Sequence, residues 1–272
     1  MIRILAEFDS FREFIDEINA DPDYLEPMLQ TEEQFQANLF DALKYPDQIP
    51  LGVYSGDRIT GLFVFQIIND ERYIEMLVGL SRDPGAYGEI ADWLRTRYPG
   101  YQADFVFNPK NRAIRAVLDK LGARFYPEEI KMTLAGDHAP VDQTGIEPLS
   151  EAFREQYVAM HGTDVYWTGD KVAEASDKFR VFLAVEKGSV VGYIDVTKDY
   201  GENEIYDLLV REGYRRRGWG RKLLARAIEA NRPKGMMLIV EAGNEPAKAL
   251  YRSMGFSVDP KAASQLATWR IG

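Results

Sequence analysis

The chain has no cysteine and only two histidines among its 272 residues. The lack of cysteine excludes disulfides, thiolate nucleophiles and zinc sites built on sulfur. The two histidines, His138 and His161, lie far apart in the sequence. A Ser-His-Asp triad or a histidine-rich metal site is therefore disfavoured, because so few histidines are available. We therefore predict that the protein binds no metal.

Long apolar runs are also missing. No run approaches the ~20 residues that a membrane-spanning helix needs. The first residues, MIRILAEFDSFREF, carry acids where a signal peptide has its apolar core. These features predict a cytoplasmic protein without a membrane partner.

Basic residues are outnumbered, with 33 Lys and Arg against 43 Asp and Glu and a net charge of −10. Nucleic acid is therefore a poor candidate partner, because such binding requires the neutralisation of many phosphates. The acidic run DEINADPDYLE, residues 16–26, is interpreted as solvated surface. The length and the 46% hydrophobic content fit two soluble globular domains.

The two halves of the chain repeat one order of predicted elements. In each half a hairpin, Gly52–Phe65 or Leu183–Val196, precedes an apolar strand, a helix, a further strand and a helix that begins at an asparagine. An offset of 133 residues aligns four pairs of identical residues across the halves: Arg82 with Arg215, Gly85 with Gly218, Asn111 with Asn244 and Gly122 with Gly255. This repeat predicts two copies of an α/β (α+β) unit, each with a mixed, mostly antiparallel sheet flanked by helices.

A polar segment separates the halves. The stretch AGDHAPVDQTG, residues 135–145, is broken by Pro140 and has no periodicity. We interpret residues 137–145 as a linker between a domain of residues 1–136 and a domain of residues 146–272.

The segment VREGYRRRGWGRKLL, residues 210–224, places five arginines, one lysine and three glycines between an apolar strand and an amphipathic helix. Backbone N–H groups are exposed at the positive end of such a helix, and glycine lets an anion approach them. The turn is therefore either a phosphate site or a solvated basic turn. A nicotinamide-binding fingerprint is disfavoured, because Leu223 stands where that motif has its third glycine.

Two motifs together resemble the GNAT family of N-acetyltransferases. Arg215-x-x-Gly218-x-Gly220 is similar to the acetyl-CoA motif of that family, and NEPAKALYRSMGF, residues 244–256, is similar to its second motif. The resemblance covers residues 146–272. It implies two tandem GNAT-like domains, with acetyl-CoA as the co-substrate of the carboxyl half.

The resemblance also implies roles for individual residues. It places the cofactor against the fourth strand of the domain, the basic turn and the last helix, at Leu208, Leu209, Val210, Arg215, Arg216, Arg217, Gly218, Trp219, Gly220, Arg221, Asn244 and Tyr251. Backbone amides of residues 216–221 would hold the pyrophosphate, and Leu208 and Val210 would pair with the pantetheine arm. Tyr251 is either the catalytic acid near the thioester sulfur or a core residue. Asn244 either contacts the cofactor or caps its helix.

The acceptor side is less defined. A base on the fourth strand is expected at Asp207 or Glu204, unless both are structural and a water chain takes the proton. The segment of residues 161–171 lies where the family builds its acceptor site, and its candidate substrate residues are His161, Tyr166 and Trp167. The two aromatic side chains either line the pocket or pack, and the histidine either makes a local hydrogen bond or takes part in catalysis.

The amino half departs from the motif. Pro84 removes one amide donor, and Tyr87 stands where the second glycine is expected. Leu118 occupies the position of Tyr251. This half resembles a degenerate GNAT-like domain that has lost the phosphate site.

These observations predict an N-acetyltransferase that moves an acetyl group from acetyl-CoA to a primary amine of a small molecule or peptide. Without cysteine, direct attack in a ternary complex is favoured over a cysteine-bound acyl intermediate. The alternative is a non-catalytic acyl-CoA sensor or scaffold, which needs the turn but not Tyr251. The protein is expected to be a monomer or homodimer, and the acceptor and acyl chain length stay open.

Overall fold

The computed structural model describes residues 1–163, 167–198 and 200–272. Its contacts divide the chain into an amino unit of residues 1–130 and 260–272 and a carboxyl unit of residues 131–259. The helices are α1 Arg12–Asn19, α2 Glu32–Phe35, α3 Pro84–Arg97, α4 Arg112–Lys120, α5 Arg154–Val158, α6 Gly169–Glu174, α7 Trp219–Asn231 and α8 Glu245–Ser253. The strands are β1 Ile2–Ile4, β2 Gln48–Ser55, β3 Arg58–Ile68, β4 Tyr73–Leu80, β5 Gln102–Phe107, β6 Arg124–Leu134, β7 Ile146–Pro148, β8 Phe179–Glu186, β9 Ser189–Thr197, β10 Glu202–Val210, β11 Gly235–Glu241 and β12 Phe256–Arg270.

The amino unit is built on the sheet β1-β2-β3-β4-β5. The first four strands pair antiparallel, whereas β4 and β5 pair parallel because α3 crosses between them. Residues 265–270 of β12 pair antiparallel with β5, and this ladder places residues 260–272 in the amino unit. The sequence-predicted division assigned those residues to the second domain, since periodicity identifies a strand but not its partner.

The carboxyl unit repeats this order on the sheet β7-β8-β9-β10-β11. Among these five strands, β10 and β11 pair parallel, and the other neighbours pair antiparallel. The helices α5 and α6 cover one face through Tyr157 and Val172, which belong to the same buried cluster as Tyr193 of β9. The helix α7 packs on the other face with its predicted apolar stripe, Leu223, Leu224, Ala227 and Ile228. The α/β class with a mixed sheet flanked by helices is thereby confirmed.

The segment predicted as a linker is held by the carboxyl unit. The carbonyl oxygen of Gly145 accepts a hydrogen bond from the N–H of Val185 at 2.7 Å. Lys222 Nζ donates to Asp142 Oδ2 at 2.9 Å and to the carbonyl oxygen of Thr144 at 3.1 Å. These contacts explain why residues 137–145 cluster with the second unit.

Within the described ranges, no helix has the length and apolar content needed to cross a membrane.

Candidate active site

The basic turn, residues 211–218, joins β10 to α7. Arg216 and Gly218 adopt left-handed backbone conformations, with φ of 59° and 86°. Gly218 is the N-cap of α7 and supplies no capping side chain. Because the first N–H groups of a helix have no acceptor within the helix, this end of α7 presents donors and the positive end of the helix dipole. The turn therefore has the local structure of an anion site.

Gly220 serves packing as well as the turn. A Cβ atom at this position would lie 3.1 Å from Leu250 Cδ2 and 4.0 Å from Val210 Cγ2. The missing side chain lets α7 approach both β10 and α8. The second glycine of the motif thus helps to fix where the helix N-terminus lies.

The arginines of the basic turn divide into two groups. Arg215 Nε donates to the carbonyl oxygen of Val210 at 3.0 Å, and Arg217 Nη1 lies 3.6 Å from a carboxylate oxygen on β8. In the described part of the chain, Arg216 and Arg221 have no hydrogen-bond or ion-pair partner for their exposed side chains. The first group holds the turn in shape, and the second leaves two guanidinium groups available to a ligand.

A gap opens between β10 and β11. In the part of the chain that the structure describes, the two strands pair along residues 202–205 of β10 and not along residues 206–210. The N–H of Arg211 donates to β9, so the alternation of an antiparallel ladder turns the polar backbone groups of Leu208 and Val210 toward the gap. The carbonyl oxygen of Val210 already accepts from Arg215. Both backbone groups of Leu208 and the N–H of Val210 are positioned to bond an extended ligand inserted there.

The helix α8 contributes two of the predicted residues. Asn244 caps it, and its side chain accepts from the N–H of Ala247 at 3.2 Å. Tyr251 is 9% exposed and packs edge-on against Phe256, with 5.9 Å between ring centroids. Burial, followed by the nearby charge of Asp207, raises the pKa of Tyr251 to about 12. This hydroxyl is protonated at neutral pH and can donate a proton.

A β-bulge shapes the middle of β10. The register with β9 shifts between Ile205 and Asp207, which leaves Tyr206 as the extra residue. Asp207 Oδ2 accepts from the hydroxyl of Tyr193 at 2.5 Å. Burial raises the pKa of Tyr193, so its hydroxyl remains a donor that orients this carboxylate. The backbone N–H of Glu204, the other predicted base, donates to a threonine hydroxyl of β9 at 2.7 Å.

Two of the predicted acceptor residues, His161 and Trp167, lie on the face of the sheet covered by α5 and α6. His161 Nε2 lies 2.7 Å from Asp195 Oδ2, and the histidine side chain is 3% exposed. The ring of Trp167 packs against Phe179 with centroids 4.9 Å apart. Tyr166 lies outside the described residues.

Sequence reasoning missed three residues next to Asp207, namely Tyr157, Tyr193 and Asp195. The hydroxyl of Tyr157 donates to both carboxylate oxygens of Asp195 at 3.0 Å. The sequence contains one feature that points to Asp195. Asp195 interrupts the apolar strand VVGYIDV, and a carboxylate in such a run is buried only when it is paired.

The amino unit caps the helix that corresponds to α7 with its own carboxylate. Asp83 Oδ1 accepts from the N–H of Gly85 at 2.8 Å at the start of α3. Pro84, the first residue of that helix, has no N–H to offer. The end of α3 is therefore satisfied by the protein, whereas α7 has no such cap.

The gap beside β4 is likewise occupied by side chains. Gly79 takes the register position on β4 that Leu208 takes on β10. Its N–H donates to Glu26 Oε2 at 2.9 Å, and its carbonyl oxygen accepts from the hydroxyl of Tyr87 at 2.9 Å. Asn111 Nδ2 in turn donates to the hydroxyl oxygen of Tyr87 at 3.2 Å. Both backbone groups that an inserted ligand could use are bonded within the unit.

Glu26 corrects one expectation from the sequence. The interpretation of residues 16–26 as solvated surface is wrong at this residue, which is 2% exposed. Burial raises the pKa of Glu26 to about 7, although hydrogen bonds from the N–H groups of Gly79 and Met28 act in the opposite direction. Glu26 is therefore a buried hydrogen-bond acceptor of the amino unit and not part of its solvated surface.

The carboxyl unit matches a known family of proteins. The Acetyltransferase (GNAT) family matches residues 146–256. The curated mycothiol acetyltransferase of Corynebacterium glutamicum is 30% identical over 130 residues, a match that covers 44% of this chain and 44% of that protein. The chain thus matches less than half the length of this relative.

Two solved structures share the fold over the whole chain. A GCN5-related N-acetyltransferase from Sphaerobacter thermophilus has a TM-score of 0.64 at 15% identity, with 100% of this chain and 95% of that chain covered. A tandem GNAT protein from the clavulanic acid biosynthesis pathway has a TM-score of 0.55 at 13% identity, with 100% and 98% covered. These likenesses confirm the tandem GNAT fold.

Proposed function

We propose that the carboxyl unit transfers an acetyl group from acetyl-CoA to a primary amine of a small molecule or peptide, because residues 146–256 match the Acetyltransferase (GNAT) family. One observation carries this proposal. Within the described ranges, no side chain caps the N-terminus of α7 and β10 does not pair with β11 beyond residue 205, whereas the same two places in the amino unit are filled by Asp83, Glu26 and Tyr87.

The residues of the carboxyl unit fit acetyl-CoA, which supplies a thioester-activated acetyl group when bound. The first N–H groups of α7 and the side chains of Arg216 and Arg221 would hold the phosphates. The backbone groups of Leu208 and the N–H of Val210 would hold the amides of the pantetheine arm. The site thus combines charge attraction with a strand-like slot.

Two side chains would move protons. Asp207 is held by Tyr193 and is the carboxylate suited to take a proton from the acceptor ammonium, directly or through water. The hydroxyl of Tyr251, protonated at neutral pH, would donate its proton to the departing sulfur. Since the sequence has no cysteine to carry the acyl group, the amine would attack directly in a ternary complex.

Turnover with a panel of amines tests the proposal. The panel includes amino acids, polyamines, peptide N-termini and the acceptor of mycothiol acetyltransferase, and thiol release is followed in the wild type and in Asp207→Asn. We expect at least one amine to be acetylated and the variant to be slower. Binding of acetyl-CoA without any turnover would instead favour a non-catalytic acyl-CoA sensor.

A further inference from the structure

A second ionisable cluster lies next to Asp207. Asp195 on β9 is the register partner of Asp207 on β10, and its side chain is fully buried. The single hydroxyl hydrogen of Tyr157 is shared between both carboxylate oxygens at 3.0 Å, and His161 Nε2 lies 2.7 Å from Oδ2. A distance of 2.7 Å lies at the short end of the range for bonds between a charged donor and a carboxylate.

Aromatic rings enclose the histidine. The imidazole of His161 stacks on the ring of Tyr193 with centroids 4.6 Å apart, and Tyr157 meets it edge-on at 5.0 Å. From α6, Gly169 packs so close that a Cβ atom there would lie 3.1 Å from the Cβ of His161. The ring therefore has one defined orientation, in which Nε2 points at Asp195.

The charges of this cluster are coupled. The pKa of Asp195 is raised above its ordinary value, because burial outweighs the hydrogen bond and charge of His161 and the hydrogen bond from Tyr157, which lower it, and the charge of Asp207 adds to the rise. A like charge nearby disfavours the ionised form of a carboxylate, and a nearby cation favours it. Protonation of Asp207 would remove the base that the proposed reaction needs.

We propose that His161 and Asp195 form a buried ion pair that compensates the charge beside Asp207 and keeps Asp207 as the ionised base. This inference rests on the proposed acetyl transfer. His161 is then a positioning residue, since it acts on the reaction through the two carboxylates. Within the described residues, the titratable groups that interact with the pair are Tyr157 from α5, Tyr193 from β9, and Tyr206 and Asp207 from β10.

Nuclear magnetic resonance tests the ion pair without any activity. The sequence has two histidines, so ¹⁵N-labelled imidazole gives two sets of signals, and partly exposed His138 serves as an internal reference. We expect His161 to show two protonated ring nitrogens at a pH at which His138 is neutral. In Asp195→Asn this difference is expected to disappear. A neutral His161 with one protonated nitrogen in the wild type at that pH would overturn the ion pair.

The pH profile of kcat/KM tests the link to Asp207. In His161→Gln the acid limb should move to higher pH, and kcat/KM measured on that limb should fall by a factor of ten for each pH unit of displacement. The double variant His161→Gln/Asp195→Asn removes the uncompensated charge as well, and it should recover most of the wild-type profile. A double variant as impaired as His161→Gln would show that the histidine only supports packing and would overturn the inference. If the wild type acetylates no amine, the proposed function fails, and the magnetic resonance experiment still decides the ion pair.

Discussion

Tyr251 combines a buried ring with a hydroxyl whose pKa of about 12 keeps it protonated. Tyr251→Phe is expected to lower kcat at least tens-fold, because positioned acid catalysis contributes roughly 10²–10⁴-fold. The affinity for acetyl-CoA should hardly change, since the ring contact with Phe256 is kept. Steady-state kinetics under conditions where chemistry limits the rate, together with calorimetry, measure both quantities. Tyr101→Phe in the amino unit is the control, and a wild-type kcat in Tyr251→Phe would assign that ring to packing alone.

Glu26 gives the amino unit a pH-dependent stability. Its pKa is about 7 in the fold and near 4.5 in the unfolded chain, so the folded state binds more protons and stability falls as pH rises through this window. The full cost above pH 7 is about 3 kcal/mol. The free energy of unfolding of Glu26→Gln relative to the wild type should therefore increase by about that amount between pH 4.5 and pH 8. Denaturant titrations at several pH values measure it, and a pH-independent difference would show that Glu26 is not protonated in the fold.

Positive charge at the N-terminus of α7 should determine the affinity for acetyl-CoA. Arg216→Ala/Arg221→Ala is expected to weaken acetyl-CoA binding roughly ten-fold or more at low salt, because each charge-assisted bond to phosphate contributes about 1.5–3 kcal/mol. The variant should also flatten the salt dependence. The matched control is Arg226→Ala. Arg226 lies later in α7, and its guanidinium group lies over the ring of Phe182. Calorimetry with CoA, dephospho-CoA and pantetheine locates the effect, and equal wild-type affinity for pantetheine would mean that the arginines serve something else.

Periodicity predicted the elements better than their irregularities. The apolar stripe of α7 and the asparagine that opens α8 are local features, and the sequence is enough to find them. The bulge at Tyr206 depends on the register with β9, which no local pattern encodes. The burial of Glu26 depends on Gly79, 53 residues later in the chain. For the same reason the residues around Asp195 were missed, because their partners come from different elements.

The molecule contains two copies of one fold. They differ in the side chains that lie at the helix N-terminus and beside the fourth strand of each copy. In the amino unit, Asp83 supplies at α3 the anion that α7 lacks, and Glu26 and Tyr87 supply the partners that the backbone of β4 requires. A buried polar backbone group needs a partner. The amino unit provides such partners from its own side chains at both places.

We therefore expect one acetyl-CoA per chain, bound in the carboxyl unit. Binding in the amino unit would require the displacement of Asp83 from the N–H of Gly85 and of two buried side chains from Gly79, and each lost bond to a buried group costs about 1–3 kcal/mol. Calorimetry should return a stoichiometry of one. Hydrogen exchange should show slower exchange with acetyl-CoA at the first turn of α7 and at residues 208–210, and no change at the start of α3 or in β4. Two equivalent sites, or slower exchange in β4, would contradict this assignment, because the bonds to Gly79 leave no room for a ligand while they are made.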